Sequence, residues 1–161
     1  MGEEIGARMN TVFTYSADLV FALIDRHAIE CDAVREGNLF LAHDNRTRTL
    51  VETFRDQHSA LGANIEWLDG DATRSMVGSP VYTNAALDRR SGTVQPLSYA
   101  RGLATAAINE GAAIHTRSRV NSLTNSPTGW EAKTDLGTSI VAAEVILATD
   151  SYSDSLWPGL A

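Results

Sequence analysis

The chain has 161 residues, 43% hydrophobic and 20% charged, with a formal net charge of −7. That balance belongs to a globular protein with enough chain for a real core, and its acidity, unrelieved by any Lys/Arg run, argues against a phosphate backbone as partner. The single cysteine, Cys31, excludes an internal disulfide; the acidic start Met1-Gly2-Glu3-Glu4 is unlike a signal peptide, and no apolar run is long enough to span a bilayer, so a cytoplasmic location is expected.

Over residues 11–28, Tyr15, Leu19, Leu23 and Ile24 recur at helical spacing and predict an amphipathic helix. The short apolar run 39–42 predicts a strand. Asp44 or Asn45 then caps a second helix, which carries Leu50, Phe54 and Leu61 and stops at Gly62. Residues 65–68 read as a strand, and 71–76 as one or two helical turns begun by an Asp cap. The stretches 81–87 and 92–94 are extended. Pro96 stands near the start of a helix, where its missing N–H costs little, with Ser98 as the expected cap. Leu97, Ala100, Leu103, Ala104, Ala107 and Ile108 form a narrow face of that helix, suited to close packing on a sheet. Gly111 stops it.

Short strands are expected at 113–115 and 119–123, and another from Gly129 to Thr134. Asp135, Leu136 and Gly137 turn the chain. The apolar stretch 139–148 predicts a strand buried on both faces. Helix-rich sequence, a helix followed by strands, and a small antiparallel excursion together define a mixed α/β (α+β) pattern with an inserted meander.

Spacing alone reveals no catalytic site. The sequence has no G-x-G-x-x-G, no phosphate-binding loop, no paired cysteines and no H-E-x-x-H. His27, His43, His58 and His115 are scattered without metal-ligand spacing, so no metal is expected. No G-x-S-x-G elbow occurs; at the nearest approach, Gly137-Thr138-Ser139, Val141 stands where the closing glycine belongs. Asp18, Asp25, Glu52 and Asp56 read as solvated helix faces.

An ordered set of pieces is more informative. Gly92-Thr-Val-Gln-Pro96 ends a strand and leads into the alanine-rich helix and Gly111. Then follow Ala113 to Thr116, the element Ser118-Arg119-Val120, the Gly129-Trp130 turn, and a polar strand to Thr134. The series closes with an apolar run through Ala148, Thr149, Asp150, Ser151 and Tyr152, and then Leu156-Trp157-Pro158-Gly159-Leu160. This series resembles the middle of FAD-dependent oxidoreductases of the D-amino-acid, glycine and sarcosine oxidase group. The match runs from about Gly92 to the end, with weaker agreement back to about Asp18. The opening around Ile29, Glu30, Cys31 and Asp32 looks closest to a subgroup acting on glutamylated polyamines or similar secondary amines.

The resemblance implies a partial FAD/NAD(P)-binding Rossmann-like domain together with part of the substrate domain of a two-domain flavoprotein. Residues 1–91 fall on the substrate side and 92–161 on the FAD side. It implies that Val120 meets the adenine through its backbone N–H and C=O. Ala148 and Thr149 end a strand near the dinucleotide, where small residues allow close approach. Asp150 stands where the family has Asn or Gly, and a carboxylate beside a pyrophosphate repels unless turned away. The family's glycine-rich first strand, its ribose-binding acid and most of its substrate residues have no counterpart in these residues. The expectation is therefore an internal piece, inactive alone, binding FAD weakly or not at all, with exposed apolar surface that favours self-association or a complementary fragment. The parent would oxidise the C–N bond of a small amine or amino acid. No catalytic residue is assigned. The alternative is a non-catalytic remnant or interaction module without flavin.

Overall fold

Why the strands pair as they do is clearest at residues 84–88. A computed structural model describes residues 2–127, 129–152, 156 and 157, in two compact units, Met1–Ala112 and Ala113–Ala161. In the first, β1 (Asn38–Ala42), β2 (Ile65–Leu68) and β3 (Asn84–Asp88) form an antiparallel sheet in the order β1-β3-β2. Every residue of β3 is buried. Ala85 and Ala86 in its middle carry side chains small enough for layers on both faces. On one face Ala42, Ile65 and Ala86 pack with Val51, Ala63, Phe40, Phe54 and Trp67. On the other, Leu68, Ala85 and Leu87 meet Leu39 and Leu41.

Local chemistry sets the helix limits. Helix α1 spans Glu3–His27, α2 Asn45–Ala60, α3 Gly70–Val77 and α4 Pro96–Asn109. Helix α2 begins in a capping box: the Asp44 carboxylate accepts from the Thr47 N–H at 2.7 Å, and the Thr47 hydroxyl accepts from the Asp44 N–H at 3.1 Å. The Thr47 side-chain hydrogen bond, then its backbone one, holds the Asp44 carboxyl below its ordinary value. Asp69 caps α3 by accepting from the Ala72 N–H at 2.9 Å. The cap of α4 is Gln95, which accepts from the Ser98 N–H at 2.6 Å; Ser98 is not the cap, because Pro96 at the first helical position moves the start one turn earlier.

The buried helix faces are rotated from those the apolar spacing suggested. In α1, Phe21 and Ile24 are buried while Tyr15 and Leu19 are 62% exposed. In α2, Val51 is buried and Leu50 and Leu61 are exposed. In α4, Ala106 is buried and Tyr99 and Leu103 join a core of Phe21, Ile24, Ile29 and Cys31, while Leu97, Ala100 and Ile108 face outward. Helix α4 thus packs on α1 within the first unit. The reason lies in Gly102, where a Cβ would come within 2.2 Å of Ile29 Cγ2. The bare backbone there admits the Ile29 side chain and so lets this face of the helix, with Tyr99 and Leu103, close on the α1 core.

The second unit is a meander: β4 (Val120–Ser126), β5 (Gly129–Thr134) and β6 (Ser139–Ala142), antiparallel in that order. Two expected strands change. Residues 113–115 form no strand, and the strand expected over 139–148 is confined to Ser139–Ala142. Among the described residues no strand lies beside 143–149. Far from being buried on both faces, Val141 is 65% and Ile146 90% exposed, because nothing described in this unit covers them. Residues 158–160 lie outside the described residues.

Two tests of the first unit follow. Gly102→Ala should raise stability by about 1 kcal/mol if helix propensity alone mattered. The Ile29 contact reverses that expectation to a net loss of roughly 1–2 kcal/mol, partly relieved in the double variant with Ile29→Ala; urea denaturation checks the sign. The second test concerns Asp88, which is 6% exposed and accepts from Arg90 Nε at 2.9 Å and Nη2 at 2.7 Å. Those hydrogen bonds, ahead of the opposing effect of burial, hold its carboxyl below the ordinary value of 3.8. A depressed carboxyl contributes stability above its unfolded-state value and loses it as pH falls through the folded one. Arg90→Ala should therefore cost roughly 1.5–3 kcal/mol near neutrality. The difference from the parent should shrink progressively below pH 3.8, as followed by denaturation at stepped pH.

Candidate functional site

The edge of the meander presents a main-chain donor and acceptor side by side. The Asp135 N–H donates to the Arg119 carbonyl at 2.9 Å, and Val120 lies opposite Thr134. In an antiparallel ladder this makes Val120 a non-hydrogen-bonded position, with its own N–H and C=O directed away from β5. The register then shifts, Ser122 facing Lys133, so that Asn121 is the extra residue of a β-bulge. Because β4 is an edge strand, the Val120 amide and carbonyl face the open side of the sheet.

A cavity of about 740 Å³ lies in the same unit, lined by Arg119, Val120, Leu123, Val145, Leu147 and Tyr152 among others. Ala148 and Thr149 also line it, so all three residues singled out in the sequence come together in one cavity. Its walls are mainly aliphatic, and Arg119 is the one cationic side chain among the lining residues. The Tyr152 N–H donates to the Thr149 carbonyl at 3.0 Å, closing a 3-10 turn over Asp150–Tyr152. Asp150 has φ 46°, in the left-handed region. Asn, Asp and Gly are the residues that tolerate this region best, so the backbone gives a reason for Asp here that needs no contact by its carboxylate.

Four of the polar residues considered from sequence have local partners in the first unit. The His58 ring lies 4.1 Å from that of Phe54. Asp18 pairs with Arg35, Glu52 with Arg48 and Asp56 with Arg55, all at the surface. Among the described residues no group of three or more His, Cys, Asp or Glu is placed to hold a metal ion, and no helix is long and apolar enough to cross a membrane. From sequence, Arg119 belongs to the element Ser118-Arg119-Val120 without a site role of its own, and the bulge at Asn121 is not legible; a bulge depends on the partner strand's register and leaves no mark in the strand's own residues.

A strand-edge donor–acceptor pair beside aliphatic walls suits a flat heteroaromatic ring, which offers the complementary pair and apolar faces. Among the described lining residues Arg119 alone is cationic, so the cavity offers little to a pair of phosphates. The family model DAO, FAD dependent oxidoreductase, matches residues 2–161, and the chain belongs to that family. It is 29% identical over 162 residues to gamma-glutamylputrescine oxidoreductase of Escherichia coli, covering 99% of this chain and 37% of that protein. It is 27% identical over 157 residues to "Probable oxidoreductase OrdL" of Haemophilus influenzae, covering 97% and 36% respectively. The chain thus spans little more than a third of the curated relatives' length. In fold it is similar to glycine oxidase from Geobacillus kaustophilus (TM-score 0.75, 21% identity, 88% of this chain and 39% of that one). It is also similar to L-proline dehydrogenase from P. horikoshii (TM-score 0.77, 17% identity, 90% and 39%).

Proposed function

We propose that this chain is the adenine-holding and partial substrate-side portion of an FAD-dependent oxidoreductase acting on a small amine or amino acid. The observation that carries this reading is the cavity into which Val120, Ala148 and Thr149 are gathered, in a chain whose family is FAD dependent. Val120 would hold the adenine through its main-chain N–H and C=O. Ala148 and Thr149 leave room for the dinucleotide to pass close to the backbone. Residues 92–161 serve the cofactor and 1–91 the substrate side. FAD, when bound, supplies the hydride acceptor for oxidation of a C–N bond to an imine, which water then hydrolyses. A secondary amine such as a glutamylated polyamine is the favoured substrate class. Its support is the opening at 29–32 together with the likeness to the Escherichia coli gamma-glutamylputrescine enzyme. The cytoplasm is the proposed location.

The purified chain is expected to be colourless and to bind FAD weakly or not at all. These residues contain no G-x-G-x-x-G turn whose helix N-terminus could neutralise a pyrophosphate. An absorbance spectrum checks this, and a stoichiometrically yellow protein would contradict it. Titration of the isotope-labelled chain with excess ADP should still shift the amide resonances of Val120, Ala148 and Thr149. A chain whose resonances ignore ADP would overturn the adenine reading of these three residues.

The apolar residues left outside also have a consequence. Val141, Val145 and Ile146 are exposed along 141–146, and exposed apolar segments beside a strand edge recruit further chains. The chain should self-associate at high concentration, and Ile146→Lys should reduce the association. Light scattering on both proteins checks the expectation, which a monodisperse parent would defeat.

A further inference from the structure

We infer that Thr134 is a positioning residue that presents the Val120 main chain to an adenine ring, acting through the hairpin turn and the Arg119 carbonyl. Among the described residues of the second unit, Thr134 is the one that is buried, at 5% exposure. A polar side chain in that place needs an explanation, since aliphatic residues elsewhere in the unit remain exposed. Its hydroxyl accepts from the Thr138 N–H at 3.2 Å. Around the same turn the Thr134 N–H donates to the Thr138 carbonyl at 2.9 Å, and the Gly137 N–H donates to the Thr134 carbonyl at 3.1 Å.

Gly137, at φ 77°, supplies the left-handed residue that closes a three-residue loop. The loop therefore has one shape, and that shape aims the Asp135 N–H at the Arg119 carbonyl. That bond sets the phase of the ladder: it places Val120 at a non-hydrogen-bonded position and leaves Asn121 as the bulged residue. Beyond the bulge β4 is held by its pairs from Ser122–Lys133 to Ser126–Gly129, so if Asp135 let go, only residues 119–121 would be released, and the Val120 N–H and C=O would lose their fixed direction toward the open edge. The chain of contacts runs from the Thr134 hydroxyl to Thr138, through the loop to Asp135, to Arg119, and so to Val120.

This role rests on the adenine reading of Val120, and the experiment separates the two. Thr134→Val keeps the shape and strand preference but removes the acceptor, whereas Thr134→Ser keeps the acceptor. Amide exchange and ADP titration are followed by NMR on the parent chain and both variants. In Thr134→Val the Asp135 amide should exchange about five- to tenfold faster. ADP should bind about three- to tenfold more weakly, with the Val120 shift reduced while the melting temperature stays near that of the parent. Thr134→Ser should restore both. An undiminished Val120 response in Thr134→Val, or an unchanged Asp135 exchange rate, overturns the positioning role and leaves the adenine reading standing. A parent chain whose Val120 amide ignores ADP overturns the adenine reading, and this role with it. If Thr134→Val does not fold, Thr134→Cys, whose thiol is a weak acceptor, takes its place with the same expected outcomes.

Discussion

The first unit depends on the filled environment of β3. β1 and β2 are not neighbours in the sheet; each pairs with β3, so this strand joins both the sheet and its two faces. Its interior residues, Ala85 and Ala86, are fully enclosed, and larger side chains there would push α2 or the leucine layer away. Its ends are polar, and each is satisfied locally. Asn84 donates to the Leu68 carbonyl, and Asp88 holds the Arg90 guanidinium in a two-pronged grip. A buried strand that ends in an amide and a carboxylate is kept in register from both ends, because sliding by one residue would leave these groups without partners.

The second unit is built on a different scale. Among the described residues, three strands and one buried threonine make a thin layer, and small antiparallel sheets without a deep core are marginal by themselves. Such a layer gains order from whatever binds it, by simple linkage between folding and occupancy. Its aromatic pair Trp130 and Trp157, with ring centroids 5.6 Å apart, adds packing at one end. The exposed ion pairs across the chain add little to either unit, because solvent screens them.

Element limits were largely legible in the sequence because they are written in local chemistry. Asp44, Pro96, Gly111 and Gly137 each act within a turn of their own position, and β2 and β5 lie where the apolar and glycine signals put them. The helix faces were not legible. Leu19, Leu50 and Leu97 are as apolar as the residues that are buried, and the choice between them depends on a distant partner, as α4 meets Ile29 at Gly102. The long strand expected after Ser139 failed for a related reason: hydrophobicity shows what a segment needs, not whether a covering element lies beside it. Of the candidate site, Val120, Ala148 and Thr149 were accessible through the family pattern of motifs. The orientation of Val120 was not, since it is a property of the Arg119–Asp135 hydrogen bond and of the bulge that follows.

That orientation bears on how the site can change over time. Where a ring is read by an amide and a carbonyl, as proposed for Val120, the residue's identity is nearly silent, and drift at position 120 among residues that keep an extended backbone would leave such a contact intact. Proline is the exception, having no N–H to offer. Selection then falls on residues that never meet the ligand: the one that lengthens the strand, the one that turns the hairpin, and the glycine that lets it close. A survey of substitutions that looked only at contacting side chains would find nothing constrained at the edge and would miss the positions on which it depends.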